Sequence, residues 1–455
     1  MNYQQIVDEQ KQFFYTGTTL PLSYRLEALS KLKNAIKQHE DEIFDALKKD
    51  LNKSKEEAFS TEIGFLYEEI NFIKKRLHRW MKPEKVANSL LTTMAKSRIY
   101  YEPYGVSLII APWNYPLQLA IAPLIGAISS GCTAILKPSE LTPNVSKVIK
   151  SIIESAFPKE YITVIEGGVA ETEELLAIRF DKIFFTGSVP VGKIVMKAAS
   201  EYVTPLTLEL GGKSPCIIDK DAKLDLAVKR VAFGKFINAG QTCIAPDYLL
   251  IHSSIKEEFI EKLRNTVEKF YGNDALQNDD YTRIVSERHF ARLVSFIENE
   301  KVLMGGESSV ETLQIQPTLL DKPDLDSPVM NEEIFGPVLP VYTFEELPEV
   351  IPFIRRYEKP LALYYFGETN ESQQYILEKL TFGGGTINDT LYHLLNPNLP
   401  FGGVGESGTG GYHGHSSFLS FSHQKSVLKA TTSFDLSLRY PGAKNALKWM
   451  RKIMK

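Results

Sequence analysis

At 455 residues, 43% hydrophobic and 24% charged, the chain fits a soluble globular protein of two or three packed units. A net charge of -4 and a pI near 6.1 leave nucleic-acid binding without the basic face it requires. The three cysteines, Cys132, Cys216 and Cys243, are odd in number and widely spaced, so no disulfide framework and no metal site is expected, and a reducing, cytoplasmic setting is.

The segment Met1–Glu9 lacks the basic start and apolar run of a signal peptide. From Ser23 to Trp80 the spacing predicts helices: Leu22, Leu26, Leu29, Leu32 and Ile36, then Ile63, Leu66, Ile70, Ile73 and Leu77, recur at three- and four-residue steps. Their Glu and Lys runs read as solvated faces without chemistry. The pattern changes at Lys82-Pro83, and Arg98–Pro103 reads as extended chain. Val106–Leu136 carries no charge, but Pro112, Pro116, Pro123, Gly126 and Gly131 interrupt it. A membrane span needs about 20 apolar residues in one helix. A buried strand, a loop, a buried helix and a second strand are expected instead.

Short apolar runs at Val106–Ile110, Thr133–Leu136, Tyr161–Ile165, Lys182–Phe185 and Leu206–Leu210 alternate with helical patterns, which argues for a parallel sheet with crossover helices. Beyond Gly212, strands at Pro215–Ile218 and Tyr248–Ile251 and helices at Leu224–Phe236 and Ser254–Tyr271 suggest a second α/β unit. Unusual residues follow the strands. Asn114 sits in a proline-bracketed apolar turn, either bonding its own backbone or aiming its amide at a ligand. Lys137 and Glu140 follow the second run. Thr186-Gly187-Ser188 leads, with Gly192, into a helix whose uncrowded backbone N–H groups suit a pyrophosphate. A textual Gly-x-Gly-x-x-Gly at Gly403–Gly408 follows a Pro-rich turn instead of a strand, so it fails the structural condition for a dinucleotide fingerprint. Cys243 stands in Gly240-Gln241-Thr242-Cys243 after a helical pattern that runs to Gly240. It is either a small buried hydrophobe or a nucleophile that needs its thiolate form. Cys132 and Cys216 read as core.

Gly240-Gln241-Thr242-Cys243, with Leu208-Glu209-Leu210-Gly211-Gly212-Lys213 upstream, resembles the cysteine and glutamate motifs of the aldehyde dehydrogenases. Cys-Ile-Ala-Pro-Asp-Tyr, Pro-Trp-Asn-Tyr-Pro at 112–116, Glu-Ile-Phe-Gly-Pro at 333–337 and Tyr412-His413-Gly414 extend the likeness to the class 3 branch, from about Ser23 to Leu428; His415 stands where lysine is expected. The resemblance implies an α/β fold: a cofactor-binding domain (1–81 and 104–210), a catalytic domain (211–410), both parallel-sheet and Rossmann-like, and a small β oligomerisation arm (82–103 and 415–432) serving a homodimer.

It further implies Cys243 as nucleophile, Glu209 as general base for thioester hydrolysis and Asn114 as oxyanion donor. NAD, with NADP also admitted, would be held by Lys137 and Glu140 at the adenosine ribose, Thr186, Gly187, Ser188 and Gly192 at the pyrophosphate, and Glu333 and Phe335 at the nicotinamide end. The substrate would be a medium- or long-chain aliphatic or an aromatic aldehyde. Three rival readings are weighed. An acylating, coenzyme A-dependent enzyme would lack a glutamate such as Glu209. A Cys-His hydrolase finds its nearest histidine, His252, nine residues away, about 30 Å if extended. A non-catalytic protein of the same fold would not need Asn114, Glu209 and Cys243 together.

The tail 433–455 is a unit of its own. After Asp435 it has no acidic residue, whereas Arg439, Lys444, Lys448, Arg451, Lys452 and Lys455 are basic. Ala446, Leu447, Met450, Ile453 and Met454 share one helical face, with Trp449 at its edge. Two uses are open: docking on its own subunit or a dimer partner, or a peripheral membrane contact with anionic lipid.

Overall fold

In a computed structural model, which describes residues 2–435 and 437–453, the chain builds two large sheets, a three-stranded one and a two-stranded one of Ser308–Ser309 and Gln314–Ile315. The first sheet runs Gly408–Thr409, Leu206–Glu209, Lys182–Thr186, Val106–Ile110, Thr133–Lys137, Ile162–Val164, parallel except for the short Gly408–Thr409 edge. Thr409 follows the decoy glycine motif, so that stretch ends in an edge strand and opens no helix. It also returns the end of the predicted catalytic segment to the first sheet.

Helices cover this sheet on both faces, and every residue of its two central strands is buried. This is why those strands read as unbroken apolar runs instead of alternating ones. From Val106–Ile110, the next two strands in sequence lie on one side and the remaining three on the other. The strand order therefore reverses between Val106–Ile110 and Lys182–Thr186, and a crevice opens there at the strands' carboxyl ends.

The second sheet has seven strands in the order Val302–Met304, Thr318–Asp321, Val338–Phe344, Tyr248–His252, Pro215–Ile218, Ala362–Phe366, Gly384–Ile387, antiparallel only at Val302–Met304. The third is antiparallel: Glu84–Val86, Lys96–Pro103 and Ser422–Lys429. It joins the expected arm segments through an eight-residue register.

Three local expectations change. Residues Tyr3–Tyr15 form a helix that the sequence pattern did not signal. Its buried Gln10 donates to Ala134 O at 2.9 Å, so a polar residue supplies much of its docking. The helix before the cysteine ends at Phe236, not Gly240. Its continuation breaks because Asn238, Ala239 and Gly240 all adopt left-handed φ angles of 54°, 50° and 73°. In the tail, residues Ala446–Ile453 are helical; Met454 and Lys455 lie outside the described residues. No helix among the described residues is long and apolar enough to cross a membrane.

Candidate active site

The loop leaving strand Val106–Ile110 carries Asn114 into the crevice. Asn114 is 2% exposed, and its Nδ2 donates to Gln241 O at 3.0 Å. An amide has two N–H groups, so one bond anchors the side chain to the cysteine turn while a second donor remains. That turn is tightly braced. Asn238 Nδ2 donates to Asn114 O (2.9 Å) and Gln241 O (3.0 Å). Gln241 Nε2 donates to Asn238 O and Arg283 O, and Gln241 Oε1 accepts from Val285 N. Left-handed non-glycine residues cost on the order of 1–3 kcal/mol each and persist only where surroundings over-determine them; here Asn238 and Ala239 are so held. Glycine is required at 240, because a Cβ would meet Gly336 O at 2.3 Å. Tyr115 O–H and Thr242 Oγ1, 2.6 Å apart, complete the join between the two loops.

Cys243 is half-buried on the floor of a cavity of about 980 Å³, counted with its open mouth. Glu209, at the end of its strand, lines the same cavity, and so does Thr186. The rest of the wall is mostly apolar and aromatic: Phe65, Leu119, Phe233, Ile237, Tyr392, Leu395, Phe401 and Tyr412 among others. Burial raises the thiol pKa of Cys243, and the Glu333 and Glu209 carboxyls raise it further, against backbone N–H groups at 243 and 244. Low dielectric and two acidic neighbours outweigh the two amide dipoles. Burial likewise lifts Glu209 well above the usual carboxylate range, and neither of its oxygens has a hydrogen-bond partner among the described residues. No histidine is paired with Cys243; His252 instead meets Ser254 at 2.8 Å and the Phe344 ring. The Cys-His reading has no geometric basis here.

The dinucleotide candidates lie on the same side of the first sheet. Thr186 Oγ1 is buried without a partner among the described residues. Ser188 starts helix Val189–Ser200. A Cβ at Gly187 would strike the Phe185 ring at 2.5 Å, and one at Gly192 would strike Leu210 at 2.7 Å. Lys137 is buried, donates to Pro138 O, and has Glu140 at 3.6 Å. Glu333 lies against Gly211, where a Cβ would meet its carboxylate at 2.2 Å. Burial and Asp247 push Glu333 up to about 8, against the Gly212 N–H, Lys213 and Arg292. Phe335, at φ 54°, packs edge-on against Trp113 with ring centroids 5.3 Å apart. An orphaned hydroxyl, an open helix start and a sequestered carboxyl on one crevice fit a dinucleotide, with the Cys243 cavity at its inner end. Among the described residues no cluster suits a metal ion.

Sequence reasoning missed the brace of the 329–334 loop. Lys213 pairs with Asp247 and donates to Val329 O and Glu332 O, while Asp247 Oδ1 accepts from Ile334 N. Both residues stand inside the quoted motifs, so the signal was present but unread. It also missed Ser60, Thr61 and Phe65 on the cavity wall, since their segment looked like a solvated helix. His415 stacks between Trp80 and Phe418, an aromatic role for which a lysine is poorly suited.

Residues 1–427 match the model of the aldehyde dehydrogenase family. The chain is 49% identical over 449 residues to the 4,4'-diaponeurosporen-aldehyde dehydrogenase of Staphylococcus aureus, covering 98% of each. It is 44% identical over 439 residues to the dimeric NADP-preferring aldehyde dehydrogenase of Canis lupus familiaris (96% and 97%), and 44% identical to aldehyde dehydrogenase family 3 member A2 of Macaca fascicularis (96% and 90%). A substrate-bound state of Staphylococcus aureus AldH superposes with a TM-score of 0.97 at 49% identity over all of both chains. An NAD+ complex of an aldehyde dehydrogenase from Bacillus cereus does so with a TM-score of 0.84 at 27% identity, over 94% and 88%. With Cys243, Glu209 and Thr186 around one cavity, and with these matches, the chain belongs to the aldehyde dehydrogenase family, in its class 3 branch.

Proposed function

We propose that this enzyme oxidises apolar aldehydes, medium- to long-chain aliphatic or aromatic, to carboxylic acids through a thioester on Cys243. Aldehyde oxidation with NAD(P) is the activity of its family; the residue roles and the substrate class are what we infer. One observation carries the reading: Cys243 and Glu209 line one cavity whose walls are mainly apolar.

In this reading Cys243 loses its thiol proton to solvent and the thiolate attacks the carbonyl carbon. The oxygen becomes an oxyanion that accepts from the free N–H of Asn114 and the Cys243 backbone N–H; such a donor is worth about 3–4 kcal/mol at the transition state. Lys137, Glu140, Gly187, Ser188, Gly192 and Thr186 would hold NAD(P), with Glu333 and Phe335 at its reactive end, and the cofactor would supply the hydride acceptor for the oxidation. Glu209 then removes a proton from water, the water oxygen attacks the acyl carbon, and the acyl C–S bond breaks, releasing the acid and the Cys243 thiolate. The presence of Glu209 favours hydrolysis over transfer to coenzyme A.

The Staphylococcus aureus relative, named for 4,4'-diaponeurosporen-aldehyde, supports a large apolar substrate. The relative named dimeric and the projecting arm support a homodimer. The basic tail supports a membrane-peripheral, cytoplasmic placement.

A chain-length series tests the substrate class. Each buried methylene contributes ~0.8 kcal/mol, so kcat/KM should climb about fourfold per carbon until the cavity fills. A flat series would overturn the apolar reading. Cys243→Ala should abolish reduced-cofactor formation while nucleotide binding, followed by fluorescence quenching, survives.

A further inference from the structure

The N-terminal helices place a sealed pair of charges directly beneath the Asn114 loop. Lys53 and Glu62 are fully buried, with Lys53 Nζ 2.7 Å from Glu62 Oε1. Lys53 Nζ also donates to Asn114 O at 3.1 Å and lies 4.1 Å from the centroid of the Tyr115 ring. Glu62 Oε2 accepts from Leu117 N (2.8 Å) and Gln118 N (3.2 Å), the start of helix Gln118–Ser130. The pair thus holds the loop of Asn114 at both ends.

Glu62 reaches this position because Phe59–Ile63 is a π-helical turn between helices Lys55–Ala58 and Gly64–Trp80. Such turns are locally unfavourable and concentrate at functional sites. Four residues beyond Lys53, Glu57 accepts from Thr282 Oγ1 at 3.5 Å.

Stability alone is a poor reason for the pair. Replacing a buried ion pair by apolar residues is often neutral or stabilising, because desolvation offsets the attraction. What apolar side chains could not supply is a donor to Asn114 O and an acceptor for Leu117 N and Gln118 N. We propose that Lys53 and Glu62 are positioning residues for the oxyanion donor, acting through the backbone of residues 114–118. This rests on the reading of Asn114 as that donor. Neither residue touches the substrate; each fixes where the free N–H of Asn114 points.

Two reactions of Cys243 separate positioning from general disruption. Cofactor-free hydrolysis of p-nitrophenyl acetate passes through an oxyanion. Alkylation by iodoacetamide uses the same sulfur and forms none. Asn114→Ala should slow ester acylation about 100-fold or more; if it does not, the oxyanion reading itself fails. Given that loss, Glu62→Gln should slow acylation about tenfold while alkylation changes less than about threefold, the selectivity expected of a misaimed donor. In the Asn114→Ala background, Glu62→Gln should add less than about twofold, since coupled residues are not additive.

The proposal is overturned if folded Glu62→Gln protein acylates within about twofold of the parent, loses both reactions in parallel, or shows a fully additive loss. Should the single variant precipitate, Lys53→Met with Glu62→Leu leaves no lone charge and is expected to fold with the same selective loss. If it folds with acylation and alkylation intact, or if neither variant folds, the pair serves stability and positioning is refuted.

Discussion

Glu209 is an acid held without a hydrogen-bond partner among the described residues, and that isolation suits a base used once per cycle. Burial alone raises its pKa, so only its ionised fraction can take a proton from water, and that fraction grows with pH. The sign follows. Turnover limited by thioester hydrolysis should rise with pH until it passes the raised pKa of Glu209, then level off. Glu209→Gln should remove that limb. Hydride transfer does not need the carboxylate, so stopped-flow traces should still show one burst of reduced cofactor. Steady-state turnover should then fall about 100-fold or more. A variant without any burst would place Glu209 in thiol activation instead of deacylation. Cys243, by contrast, carries the cost of two acidic neighbours in the free enzyme, and that cost lightens when a cationic ring binds beside it.

At the scale of elements, the parallel sheets were legible because a strand buried on both faces must be apolar throughout. Pro215–Ile218 and Leu224–Phe236 fall where the residue pattern puts them. The cysteine turn was legible as a motif but not as a shape, since nothing in Asn238-Ala239 announces two left-handed residues; tertiary bracing imposes them. The segment 53–62 was misread for a related reason. Lys53 and Glu62 have the look of a solvated face, and only the π turn and the overlying loop bury them.

The strand end at Lys137 gives a test of cofactor choice. Glu140 is half-exposed and close to Lys137, so a 2′-phosphate on the ribose would meet one attraction and one repulsion. NAD should be preferred, with NADP usable. Glu140→Gln should raise kcat/KM for NADP relative to NAD about two- to fivefold, the scale of an exposed charge contact of up to ~1 kcal/mol. An unchanged ratio would show that Glu140 does not face the ribose.

At the scale of the molecule, the two sheets present opposite ends to one another. Asn114, Lys137, Thr186 and Glu209 follow carboxyl ends of the first sheet, whereas Cys243 precedes a strand of the second. The tail keeps its apolar side chains outside: Leu447 is 63% exposed, Trp449 48% and Met450 42%, and Lys448, Arg451 and Lys452 are exposed beside them. Packing on its own subunit does not cover these residues, which leaves a dimer partner or a lipid surface. The charge pattern favours lipid. Among the described residues, Asp435 is the last acidic group, and Arg439 approaches it at 3.4 Å, so the helix itself faces outward with basic residues alone. Each basic residue near an anionic surface contributes about 1 kcal/mol, an effect that salt screens. An enzyme for apolar aldehydes would gain by docking where such substrates dissolve. Sedimentation with anionic vesicles at low salt should carry down the full chain but not a chain ending at Asp435, and added salt should release it. Equal sedimentation of the two would assign the tail to the dimer partner, and the shortened chain should then elute as a smaller species by size-exclusion chromatography with light scattering.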